Sequence, residues 1–103
     1  MRVINGKVEG FSKGIYIGRA MPGLKGSVLA NPFKIGRDGT REEVIQKYRV
    51  WLWEQIKGGN AQVIAELKRI ALEQADVVCW CAPLPCHGEV VLRAAKWVLE
   101  NLP

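Results

Sequence analysis

No stretch of this sequence approaches the ~20 consecutive apolar residues that a membrane-crossing helix needs, so a helical membrane protein is excluded. The first ten residues, MRVINGKVEG, lack the apolar core of a secretory leader, and a cytoplasmic setting is therefore expected. Cysteine is scarce: Cys79, Cys81 and Cys86 are the whole set, crowded into eight positions. An odd and clustered set does not make a disulfide framework, which agrees with a reducing compartment. Internal repeats and low-complexity segments are absent. Acidic residues are nearly missing from one part of the chain, because residues 1–41 hold only Glu9 and Asp38.

What is present fits one small folded domain over residues 1–103. Apolar residues make up 49% and charged residues 24%, a balance that argues against disorder. The net charge is +5, and its placement matters more than its size. Residues 1–41 carry eight basic side chains against the two acids, while the rest is nearly balanced. The basic segment is also rich in glycine. A solvated basic surface and an anionic partner both account for such a segment.

Val3-Ile-Asn5 and Ile15-Tyr-Ile17 read as short strands separated by Gly6, Gly10 and Gly14. Residues 18–40 keep neither a helical nor a strand period. A loop of that length is unusual in a small domain and is commonly functional. Leu24, Val28, Leu29, Phe33 and Ile35 offer it apolar anchors. Thr40-Arg-Glu-Glu43 matches a capping box and predicts a helix to about Lys57, with Val44, Ile45, Tyr48, Trp51, Leu52 and Ile56 at helical spacing. Gly58-Gly59 ends it. Asn60 then caps a helix over about 61–74 that turns Val63, Ile64, Leu67, Ile70 and Ala71 inward. Asp76–Cys81 reads as a buried strand with Trp80 in the core, and Ala82–Pro85 as a turn. A last helix over about 87–101 presents Val91, Ala94, Ala95, Val98 and Leu102. The order predicts a small α/β fold, a Rossmann-like two-layer or three-layer sandwich with a short, mainly parallel sheet and about three helices.

The sharpest chemical feature is Cys79-Trp-Cys81-Ala-Pro-Leu-Pro-Cys86-His87-Gly-Glu89. Three readings stay open. Cys79, Cys81, Cys86 and His87 make a Cys₃His donor set for zinc, although a C-x-C followed by an adjacent C-H pair is not the usual spacing of two knuckles. Alternatively, Cys86 at a helix start is a thiol favoured as thiolate, with His87 as acid or base and Glu89 orienting an imidazole or a sugar hydroxyl. In the third reading Cys79 simply fills the core, Cys86 is inert behind Pro83 and Pro85, and His87 caps the helix.

Tyr16-Ile-Gly-Arg19, Leu29-Ala-Asn-Pro-Phe33, Lys34-Ile-Gly36, Asp38-Gly-Thr-Arg-Glu-Glu43, Cys79-Trp-Cys-Ala-Pro83 and Cys86-His-Gly-Glu-Val90 follow one another in this order. Taken together they resemble the small bacterial and phage proteins grouped as the DUF4326 domain family, over nearly the whole chain. The resemblance implies a compact stand-alone domain and brings no function with it. A looser analogy to Rossmann-like nucleotide-binding proteins rests on the expected fold alone.

The functional expectation is therefore a nucleotide or phosphorylated metabolite bound between the 18–40 loop and the 81–89 turn, with hydrolase or transferase chemistry as an open extension. Gly18 would allow close approach, while Arg19, Lys34 and Arg37 would hold phosphate. Asn31 and Cys81 would border the ligand, and Cys86, His87 and Glu89 would contact the sugar or perform chemistry. No resident cofactor is called for outside the zinc reading. A nucleic-acid-binding module is the rival, since the basic segment and the tryptophans permit it. Trp51 and Trp53 lie two apart on a helix and cannot share a face, so Trp53 and Trp97 are candidates for a homodimer surface.

Overall fold

Three short strands, β1 (Val3–Asn5), β2 (Ile15–Tyr16) and β3 (Val77–Cys79), form one parallel sheet in the order β1-β3-β2. This is the arrangement in a computed structural model of the chain, which describes residues 1–82 and 84–102; Pro83, part of the expected turn, lies outside them. The central strand pairs Val77 with both Val3 and Ile15, and Val78 with both Ile4 and Tyr16. Its three residues are buried, as a strand covered on both faces should be. Alternation sends Val77 and Cys79 into the main core with Ile15 and Ile17. Ile4 and Val78, also buried, belong to the other face.

Four helices accompany the sheet: α1 (Gly6–Glu9), α2 (Arg41–Lys57), α3 (Ala61–Glu73) and α4 (Gly88–Asn101). The three long ones match the expected ranges closely because their signals are local and redundant. Thr40 Oγ1 accepts the Glu43 amide hydrogen, and Glu43 reaches back to the Thr40 amide. Asn60 Oδ1 accepts from the Val63 amide at the start of α3. Leu52, Leu67, Ile70, Val91, Ala94 and Val98, all fully buried, knit these helices to one another and to β3.

Gly88 is the first residue of α4 because nothing larger fits. A Cβ there would lie 2.7 and 2.8 Å from the two Val3 methyls, so the glycine lets α4 start against β1. On the opposite face of the sheet the Phe11 ring meets Trp80 and Tyr16, with centroids 4.6 and 5.9 Å away. Trp80 Nε1–H donates to Tyr16 Oη at 2.8 Å, and Tyr16 Oη–H donates to the Arg19 carbonyl at 2.7 Å. Trp80 is thus half-buried rather than a core residue, because its indole N–H needs a polar partner.

Residues 18–40 are irregular, as expected, with one isolated bridge between Met21 and Leu24. Only one of the five expected anchors, Leu29, is fully buried; Val28 and Ile35 are 42% and 52% exposed. Polar side chains fasten the loop instead. Asn31 Oδ1 accepts the Phe33 amide hydrogen, and Asn31 Nδ2 reaches the Val44 carbonyl. Tyr48 Oη–H, fully buried on α2, donates to the Leu29 carbonyl at 2.7 Å. Tyr48→Phe is expected to cost about 1–3 kcal/mol in urea unfolding, since it strands a buried carbonyl without a donor.

The tryptophans on α2 are both half-buried. Trp53 packs edge-on against Trp97 at 5.0 Å, and Trp97 is the more exposed of the two at 39%.

Candidate functional site

The carboxyl ends of β2 and β3 open into a cleft of about 420 Å³, the position at which open α/β sheets bind ligands. Its walls come from four places: Gly18 and Arg19 just after β2, the 31–35 stretch of the loop, the first turns of α2, and the Cys79–His87 segment. Of the residues singled out in the sequence, Gly18, Arg19, Asn31, Lys34, Cys81, Cys86 and His87 line it, as does Cys79. The loop and the cysteine–histidine turn therefore do face each other.

Two of the expected residues do not reach the cleft. Arg37 pairs with Asp38 at 2.7 Å and donates to the Pro32 carbonyl, so its guanidinium is committed to its own turn. Glu89 is exposed on the first turn of α4 and is not among the lining residues, so it orients no imidazole there. Arg41 is the residue that sequence reasoning missed. Its Nη1–H donates to the Pro85 carbonyl at 3.0 Å, which ties the start of α2 to the turn before α4 and sets a third cation in the wall. Its place at the helix start, inside the capping box, is the signal that was available.

The three cations are Arg19, Lys34 and Arg41. Arg19 Nη2–H donates to the Phe33 carbonyl at 2.9 Å. Among the described residues none of the three has a carboxylate partner within ion-pair distance, and no acid lines the cleft. Most of the remaining wall is apolar or aromatic, including Tyr16, Phe33 and Trp80.

His87 occupies the N-cap position of α4 without making a cap hydrogen bond. Its Nε2 lies 2.9 Å from the Ile17 carbonyl, which only a protonated Nε2 can satisfy. The neutral ring then leaves Nδ1 as an acceptor, and no partner occupies it among the described residues. Tyr48 packs edge-on against the ring at 4.8 Å. Burial holds the imidazole below its ordinary value, and the nearby Arg19 charge acts in the same direction against the Ile17 carbonyl.

That depression has a sign in stability. The unfolded chain takes up a proton near pH 6.5 and the folded chain does so only at lower pH, so stability falls as pH drops below about 6.5 until the folded pKa is reached. Replacing His87 by Gln is expected to flatten the fall in melting temperature between pH 7 and pH 5. Asp38 and Glu43, held down chiefly by hydrogen bonds from Arg37 and from the Thr40 amide, act only nearer the carboxylate range.

Cys86, expected as a lone thiol at the helix start, has a second sulfur beside it. It is buried, 3.5 Å from Cys79 through sulfur, and the Gly88 amide donates to its Sγ at 3.2 Å. Its S–H serves Cys79, which together with burial pushes the Cys86 thiol up. The same contact, aided by the Ala82 and Cys81 amides, draws the Cys79 thiol down. Cys81 is half-buried and free. Among the described residues no three His, Cys, Asp or Glu side chains are gathered so that they could hold a metal ion.

A three-stranded parallel sheet flanked by helices makes this a small α/β protein. The model of a family described as a domain of unknown function (DUF4326) matches residues 3–97, nearly the whole chain, and the chain belongs to that family. No curated protein and no solved structure matches it. No helix among the described residues is long and apolar enough to cross a membrane.

Proposed function

We propose that this protein binds a nucleotide or a closely related phosphorylated metabolite in the cleft at the carboxyl ends of β2 and β3. One observation carries the reading: Arg19, Lys34 and Arg41 line a cavity that no acid lines, and none of them has a carboxylate partner among the described residues. Cations without internal counter-charge in a concave, largely apolar site favour an anion over a neutral ligand. Tyr16, Phe33 and Trp80 supply flat apolar surface for a ring attached to that anion. The unpartnered Nδ1 of neutral His87 is an acceptor for a ligand hydroxyl.

A thermal-shift panel tests this directly. Nucleoside mono-, di- and triphosphates are expected to raise the melting temperature, and the matching nucleosides to do little. A ligand at a hundred times its Kd stabilises by about 2.7 kcal/mol, which a panel at millimolar concentration resolves for micromolar binders. Added salt should weaken the shift. No shift with any phosphorylated compound would remove the reading. Tighter binding of a single-stranded oligonucleotide than of its mononucleotides would replace it by the nucleic-acid alternative.

A further inference from the structure

We propose that Cys79 and Cys86 are a redox-active dithiol that closes reversibly to an intramolecular disulfide, taking a low-molecular-weight disulfide such as glutathione disulfide as its oxidant. The reading is independent of the anion-binding one. It starts from a distance: the two sulfurs are 3.5 Å apart and reduced. A disulfide needs them at about 2.05 Å, so closure asks for a sulfur displacement of only about 1.5 Å.

The two residues are unequal in how they are held. Cys79 ends β3, the central strand, and is paired in register with Asn5. Cys86 lies in the irregular connection before α4, next to exposed Leu84 and Pro85. Cys86 is therefore the partner that moves. Both side chains line the cleft, which gives a small solute a path to sulfurs that are otherwise covered. A backbone donor serves the pair: the Gly88 amide donates to Cys86 Sγ at 3.2 Å. Such a donor stabilises the thiolate that thiol–disulfide exchange requires. Among the described residues three cations and no carboxylate line this cleft, which favours entry of an anionic tripeptide disulfide.

The exchange balances in two steps. The pair loses one proton to solvent, and the thiolate attacks one sulfur of glutathione disulfide. The S–S bond of the oxidant breaks, one glutathione leaves as thiolate, and a mixed disulfide remains on the protein. The second cysteine then loses its proton and attacks the protein sulfur of that mixed disulfide, releasing the second glutathione. Two protein thiols have given up two electrons, and one glutathione disulfide has become two glutathiones. Cys81, which has no sulfur partner, stays a thiol.

The test uses the folded full chain and its Cys81→Ser variant, which keeps only the proposed pair. Each is incubated with glutathione disulfide at neutral pH without air, then denatured and blocked with iodoacetamide. Chymotryptic cleavage after Trp80 separates Cys79 from Cys86 for mapping. The expected result is loss of two of the three thiols in the natural sequence and of both in Cys81→Ser. A Cys79–Cys86 cross-linked peptide should appear, and dithiothreitol should reverse the change. Full alkylation of all three cysteines would overturn the proposal. So would a glutathione adduct that persists, a bond through Cys81, a disulfide-linked dimer, or oxidation that proceeds only in urea.

Discussion

Gly14→Ala is expected to lower the melting temperature by roughly 10–25 °C, the equivalent of about 2–4 kcal/mol in a domain of this size. A methyl group at position 14 would overlap the carbonyl oxygen of Asp76 and come within 3.0 Å of its carbonyl carbon. That carbonyl is the acceptor for the Ile15 amide at 2.9 Å, the bond that starts the pairing of β2 with β3. Asp76 cannot step aside easily. Its Oδ1 accepts the Arg2 amide hydrogen at 3.0 Å, and the next residue, Val77, donates its own amide hydrogen to the Arg2 carbonyl. The alanine therefore has to push one strand end away from the other, which costs overpacking strain and the first ladder bond together. Thermal unfolding followed by circular dichroism measures it. A change within about 0.5 kcal/mol, the range of an ordinary surface substitution, would show that the two strand ends do not meet in this way.

Joint replacement of Lys34 and Arg41 by Ala is expected to weaken binding of a phosphorylated ligand about a hundredfold, measured by isothermal titration. A hydrogen bond to a charged group contributes about 1.5–3 kcal/mol, and Lys34 is exposed, so the lower figure is used for each. Two such losses of ~1.5 kcal/mol correspond to roughly a factor of one hundred. Arg41→Ala also removes the bond to the Pro85 carbonyl, a modest loss of stability that urea unfolding reports separately. Affinity unchanged in a folded double variant would place the anion elsewhere.

The parts of the fold that were legible in the sequence are those whose signals are local. A capping box at Thr40, an Asn60 cap, paired glycines after Lys57 and helical spacing of apolar residues together delimit α2 and α3 to within a residue. β3 was visible as Val77-Val-Cys79 but proved shorter than Asp76–Cys81, because the chain leaves the ladder to carry Trp80 and Cys81 past the sheet. The helix α1 was not legible: four residues hold barely one turn and show no period. The candidate site was legible in its two segments and not in its membership. Arg37 looked equivalent to Lys34 until its neighbour Asp38 claimed it. Glu89 sits exposed on the first turn of α4 and is not among the residues that line the cleft. Arg41 read as part of a cap, and only the fold brings it to Pro85. The nearness of Cys79 and Cys86 also needed the fold, since seven positions and a proline-rich turn have no fixed geometry.

The central claim is that one cleft gathers Arg19, Lys34, Arg41 and His87 around an anionic ligand. Amide chemical shifts in a labelled sample, followed while a nucleoside monophosphate and then its unphosphorylated nucleoside are titrated in, test this most directly. Saturable shifts concentrated at Gly18, Arg19, Phe33, Lys34, Arg41, His87 and Gly88, produced by the phosphate compound and not by the nucleoside, are the expected result. Shifts elsewhere, or the same shifts from both compounds, would contradict it.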